Sequence, residues 1–312
     1  MVKMPVRGSA AAVILQFSLI AFLIAASSSC LVRRRIVTRR GAQPTQTLLT
    51  ANKEILIQKI AQEYAALDTI NATVDMVPAI GTANKGKITE YKDVRAYVLF
   101  RKPSDIRIIG LYPVVRNRAF DMVSNGSEFR LYIPAKNRFI EGGNQIEKPS
   151  ENKLENLRPQ HFLEALLVRP IDPATEDTIL ENFTDEENAV YNLITVTRAT
   201  DKGLLLHRQL WFDRLKLQLV RQMIFDPAGD ILTDARYSDW KDYDGVPFPK
   251  TIEIDRPKDE YGVVMTVVKL DVNKSVTDDK FVLEQPPGSQ LQVLGANPQT
   301  APAQADKGTT KK

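Results

Sequence analysis

The 312-residue sequence has one cysteine, two histidines and two tryptophans. With Cys30 alone, an intramolecular disulfide and a thiolate metal cluster are both excluded. Neither His161 nor His207 has a second histidine or a cysteine at ligand spacing, so no metal site is expected. His207 reads as a partly buried or surface histidine on a strand. The chain also lacks a G-x-S-x-G elbow, a G-x-x-x-x-G-K phosphate cradle and a dinucleotide fingerprint. Asn125-Gly126-Ser127 reads as a hairpin turn. Asp239, Asp242 and Asp244 cluster beside Trp240 and Tyr243, at a spacing that suits a turn capped by its own carboxylates; spacing alone does not separate that from a glycosidase pair. Trp211 and Trp240 read as core packing ahead of sugar stacking. These absences argue against an enzyme and against a bound cofactor.

Excess charge is also largely missing from the body of the chain. The formal net charge is +4, but residues 1–40 hold seven basic residues and no acidic one. Without them 35 basic residues face 38 acidic ones, so the remainder is near −3 and is no basic nucleic-acid binder. The hydrophobic content of 43% is that of a chain with a packed core.

The N-terminus is where the sequence speaks most directly. Lys3 and Arg7 precede an almost wholly apolar run from Ala10 to Ala26, then Ser27-Ser28-Ser29 and Cys30. That is the layout of a secretory signal, with an apolar stretch somewhat short of the ~20 residues that span a bilayer. Small residues before a cysteine expose the backbone to a peptidase and leave the thiol free for a lipid. The arrangement resembles a bacterial lipobox, with Ser27 where leucine is usual. An uncleaved anchor helix and a bystander cysteine are the alternatives. Leu31 after the cysteine, rather than aspartate, favours the outer membrane by the sorting rule of such proteins. Arg33, Arg34, Arg35, Arg39 and Arg40 follow, either against anionic headgroups or as a solvated linker. The expected organisation is a signal peptide over 1–29, a lipid-anchored tether over 30–50, one domain over 51–288 and a disordered polar tail over 289–312.

Within the domain, Asn52 is placed to cap a helix carrying Leu56, Ile60, Tyr64 and Leu67 at helical spacing. Alternation then takes over: Ala96, Val98 and Phe100 oppose Arg95, Tyr97 and Arg101, and Phe129, Leu131 and Ile133 oppose Glu128, Arg130 and Tyr132. Pro159 opens a short helix ended by Pro170, and residues 171–188 read as acidic loop or partial helix. Strands resume from Tyr191 to Val272, punctuated by Asp226-Pro227-Ala228-Gly229-Asp230; residues 286–312 are predicted disordered. The fold class is mainly β, about eleven antiparallel strands curved around helices. Phe162, Leu163, Leu166 and Leu167 exceed the apolar stripe a helix this short requires, and read either as core or as the wall of an apolar pocket.

The order of segments resembles the LolA/LolB superfamily and its outer-membrane lipoprotein-sorting relatives. The residues that carry the likeness are Lys87-Ile88-Thr89-Glu90-Tyr91, Arg101-Lys102-Pro103-Ser104-Asp105, Gly110-Leu111-Tyr112-Pro113-Val114-Val115, Ala119-Phe120-Asp121-Met122, Leu131-Tyr132-Ile133-Pro134, Asn156-Leu157-Arg158-Pro159, Trp211-Phe212-Asp213 and Gly245-Val246-Pro247-Phe248-Pro249. The resemblance implies an incomplete barrel with a helical lid over a cavity for acyl chains. It implies non-covalent transfer from a periplasmic LolA-like donor to a monomeric, lipid-anchored acceptor at the outer membrane. Cavity candidates are Phe162, Leu163, Leu166, Leu167, Ile106, Ile108, Phe129, Leu131, Leu210 and Phe212. Leu111 and Tyr112 are the candidates for a projecting membrane loop, and Leu111→Glu is expected to weaken delivery without unfolding the chain. The competing expectation is a structural or partner-binding envelope lipoprotein with a filled core.

Overall fold

A computed structural model describes residues 47–82, 87–90, 93–144, 157–184, 189–199 and 203–294. Cys30, the signal segment, the arginines of the tether and the tail beyond residue 294 lie outside the described residues.

Helix α1 (Lys53–Ala65) begins where expected: the Asn52 side chain accepts the Ile55 amide at 2.9 Å, and Leu56 and Ile60 are buried. The strands that follow are β1 (Thr69–Thr82), β2 (Lys87–Glu90), β3 (Val94–Arg101), β4 (Asp105–Leu111), β5 (Arg118–Ser124), β6 (Glu128–Ile133) and β7 (Arg138–Gly143). Helix α2 (Pro159–Leu166) separates them from β8 (Glu176–Thr184), β9 (Ala189–Ala199), β10 (Gly203–Asp213), β11 (Leu219–Phe225), β12 (Ile231–Tyr243), β13 (Val246–Arg256), β14 (Tyr261–Val272) and β15 (Gln290–Leu294).

These form one open sheet in the order β15-β7-β6-β5-β4-β3-β1-β14-β13-β12-β11-β10-β9-β8, with β2 paired to the end of β1. Pairing is antiparallel except between β15 and β7. The turns behave as their residues dictate. At Asn125-Gly126, Gly126 has φ +96°, and the Asn125 carboxamide accepts the Ser127 and Glu128 amides. At the Asp242–Gly245 turn the Asp242 carboxylate accepts the Gly245 amide at 2.8 Å.

α2 is enclosed. Every residue from Pro159 to Leu166 is buried except Glu164. It packs on β4, β5 and β13, Tyr237 of β12 donates to the Ala165 carbonyl, and Gln222 of β11 donates to that of Glu164. Strands from both sides of the β1–β14 pair therefore touch one helix, so the sheet curls around it. The inward rows supply the core: Ile70, Ala72 and Val74 of β1, Ala96, Val98 and Phe100 of β3, Ile252 and Ile254 of β13, Val263 and Met265 of β14.

Three expectations are corrected. There are fifteen strands among the described residues, not about eleven. Residues 176–184, expected as loop or partial helix, form β8. Their acidic composition hides an alternation in which Glu176 and Leu180 point away from Ile179 and Phe183. Glu176 is anchored by Arg208, whose guanidinium also donates to the Arg169 and Pro170 carbonyls, and by His207 at 3.1 Å. Burial opposes ionisation of Glu176, but these hydrogen bonds outweigh it and hold the carboxyl down at about 2.

The third correction is the C-terminus. Residues 290–294, within the stretch expected to be disordered from 286 onward, form a strand, and arginines on the outer face hold the segment that leads to it. Arg101 donates to the Val276 carbonyl, Arg107 to those of Lys280 and Val282, and Arg130 to that of Leu283. Arg107 is fixed in turn by a two-pronged pair with the fully buried Asp121, at 2.8 and 3.0 Å. The chain then joins the sheet as β15, which sequence pattern missed because Gln290-Leu291-Gln292-Val293 is short and follows a proline-rich turn.

Candidate functional site

The interior is not filled to its end. The inward row of β4 reads Ile106, Ile108 and then Gly110, which has no side chain to contribute. Beyond that level the inward rows of the neighbouring strands continue with Val94 of β3, Met76 and Pro78 of β1, and Val263 of β14. Phe120 of β5 lies directly across from Gly110 and folds its ring over the bare backbone. A Cβ at position 110 would stand 2.2 Å from the ring. What remains open is a cavity of 330 Å³, walled by Val94, Met76, Pro78, Val263 and Phe120 with Ile80, Tyr112, Ala119, Met122, Leu157, Phe162 and Tyr261. Its lining is almost entirely carbon.

The rim of this cavity carries a projecting loop. Tyr112, 41% exposed, belongs to both, and the loop from Tyr112 to Asn117 is closed by the Tyr112 amide on the Asn117 carbonyl at 2.9 Å. At its tip Val114 is 90% exposed and Val115 65%. Arg116 follows in the left-handed region, with φ +52°. Two solvent-facing valines beside cationic groups form an apolar tip with a polar collar.

The sequence candidates divide accordingly. Of the ten cavity candidates, Phe162 lines the 330 Å³ cavity. Leu166, Leu167 and Phe212 line a separate cleft of only 50 Å³ beside α1. Leu163, Ile106, Ile108, Phe129, Leu131 and Leu210 are packed core. Tyr112 stands at the rim, whereas Leu111 is half-buried at the end of β4, paired with Arg95 and Arg118. The exposed apolar residues are Val114 and Val115, which are in the segment that carried the resemblance but were not singled out. Met76, Val94, Phe120 and Val263 were missed too. The signal for them is positional: Met76, Val94 and Val263 continue inward rows past the level at which Gly110 interrupts β4, and Phe120 stands opposite Gly110.

Behind the cavity wall lies a buried polar network that the sequence did not announce. Arg256 donates to His161 Nε2 at 3.0 Å, to the Asp259 carboxylate at 2.8 Å and to Thr233 Oγ1 at 2.6 Å, with Glu164 Oε2 at 3.7 Å. With Nε2 accepting, the proton of a neutral imidazole sits on Nδ1 and donates to the Tyr261 hydroxyl at 2.6 Å. Burial, then the cations Arg256 and Arg158, hold His161 well below its usual range, so it is neutral. Burial raises Glu164 against the pull of Arg256, and raises the Tyr261 phenol. His161 and Tyr261 adjoin or form the cavity wall, so the network fixes the start of α2 against the β13–β14 turn. No group of three or more metal-ligating side chains occurs among the described residues.

No family model matches the chain, and no curated protein does. Solved structures do. A DUF1329 family protein from Desulfovibrio piger is 15% identical over 73% of this chain and 95% of that chain, with a TM-score of 0.50. A LolA superfamily protein from Nitrosomonas europaea is 13% identical over 75% and 99%, with a TM-score of 0.47. A domain from Vibrio parahaemolyticus named for outer membrane lipoprotein sorting is 15% identical over 74% and 97%, with a TM-score of 0.44. At such identities the likeness is one of fold, and the D. piger structure carries that statement. The chain has a β-rich, open-sheet fold similar to that of the D. piger DUF1329 family structure.

Proposed function

We propose that this chain binds acyl chains in its apolar cavity and takes part in lipoprotein sorting or insertion by non-covalent transfer. The observation that carries the reading is the 330 Å³ cavity with its almost wholly apolar wall, opening beside an exposed Val114–Val115 tip. Each buried methylene contributes about 0.8 kcal/mol, so an acyl chain is held without bond-making. In this reading the curled sheet is an incomplete barrel and α2, through Phe162, together with Leu157 just before it, is the lid. The protein is anchored through lipid on Cys30 at the periplasmic leaflet of the outer membrane, receives cargo from a LolA-like donor, and is a monomer without catalytic activity. The names of the lipoprotein-sorting and LolA superfamily structures support it as names of similar folds only.

The test is native mass spectrometry of the full-length protein released from detergent, with and without a triacylated lipopeptide. A saturable one-to-one adduct is expected. Val94→Phe, which fills the cavity from an inward position, is expected to remove it while the protein keeps its thermal stability. No adduct with a folded wild-type protein refutes the reading. It would turn attention to the second one, a partner-binding envelope protein. The edge strand β8 favours that alternative, since it leaves Ile179 and Phe183 about half exposed at a sheet edge that is unpaired among the described residues.

A further inference from the structure

We infer that the cavity is a single-chain site and that Gly110 and Phe120 together set its capacity. This rests on the acyl-binding reading and goes beyond it by naming the ligand class: an amphiphile that inserts one saturated tail, its polar end left outside.

Size is the first argument. A dry apolar cavity of about 150 Å³ accommodates a benzene-sized molecule. At 330 Å³ this one has room for roughly twice that, a single tail of about a dozen carbons. The wall offers nothing to a headgroup, since the Tyr261 hydroxyl is engaged by His161 at 2.6 Å. The polar end therefore remains at the rim, near Tyr112 and Arg116.

The second argument is how the volume arises. Ile106 and Ile108 would be followed by a third inward side chain, and Gly110 omits it. The omission lets the Phe120 ring lie flat against β4. Its backbone φ is outside the left-handed region, so alanine is conformationally acceptable at 110, and the atoms nearest to its methyl group are those of the ring. A methyl group there displaces the ring from β4, and the open space beside it is the cavity.

The test titrates saturated fatty acids of graded length, from eight to about eighteen carbons, into the full-length protein, with stoichiometry read by native mass spectrometry. Wild type is expected to bind one chain per protein, tightest near a dozen carbons. Gly110→Ala is expected to weaken that chain at least tenfold. Phe120→Ala in the same background restores binding and shifts the optimum to longer chains, a rescue that a merely unfolded variant cannot show. Unchanged affinity in Gly110→Ala, or two or more chains per wild-type protein, overturns the inference while leaving acyl binding intact. Failure of wild type to bind any chain overturns the functional reading and this inference together.

Discussion

Replacing Arg256 with methionine is expected to destabilise the protein by about 3–5 kcal/mol, the cost of leaving a buried charge without its partner. The guanidinium serves four groups at once: His161, Asp259, Thr233 and the nearby Glu164. Asp259 is 5% exposed and Thr233 is fully buried, so water cannot replace what is lost. For a domain of this size the expected fall in Tm is roughly 6–20 °C. Arg256→Lys is expected to recover little, because an ammonium lacks the planar fork that reaches several acceptors together. Chemical denaturation at neutral pH measures the effect. A loss below 1 kcal/mol would mean that α2 is held by its apolar packing and that the network is dispensable.

The second large effect concerns delivery rather than stability. Val114→Asp with Val115→Asp is expected to lower transfer of a lipopeptide to vesicles on the order of 100-fold, since two valines fully buried in an apolar phase contribute about 3–6 kcal/mol. Both residues are exposed, so the melting temperature should stay within about a degree. Leu111→Glu is a poorer probe than the sequence suggests, because Leu111 is half-buried in the sheet and its substitution mixes folding with function. Transfer unchanged in the double variant would show that the tip does not meet the membrane.

The same distinction governs the helix. Phe162 and Leu166 are deeply buried members of the core, so carboxylates placed there are expected to unfold the protein before they report on any ligand. Val94, at the open end of its strand's inward row, is the informative position.

Much of the fold is legible because alternation and turns are local. The Asn52 cap, the Asn125-Gly126 turn and the inward faces of β3 and β6 all follow from residue type and spacing. What escapes is whatever depends on distant partners. β8 looks like loop until Arg208 and His207 arrive to hold Glu176. β15 looks like tail until Arg101, Arg107 and Arg130 lead the chain across the outer face. The cavity is hidden for a related reason. Apolar residues that fill a core and those that line a void share one pattern, and only the missing side chain at Gly110, seen against Phe120, separates them.

The most direct test of the central claim is where a bound tail lies. A twelve-carbon fatty acid carrying a terminal diazirine, photolysed with the full-length protein and mapped by peptide mass spectrometry, should label cavity residues such as Met76, Phe120, Met122 and Val263. Labelling spread over the outer face, or confined to Ile179 and Phe183 at the β8 edge, would contradict an internal acyl site.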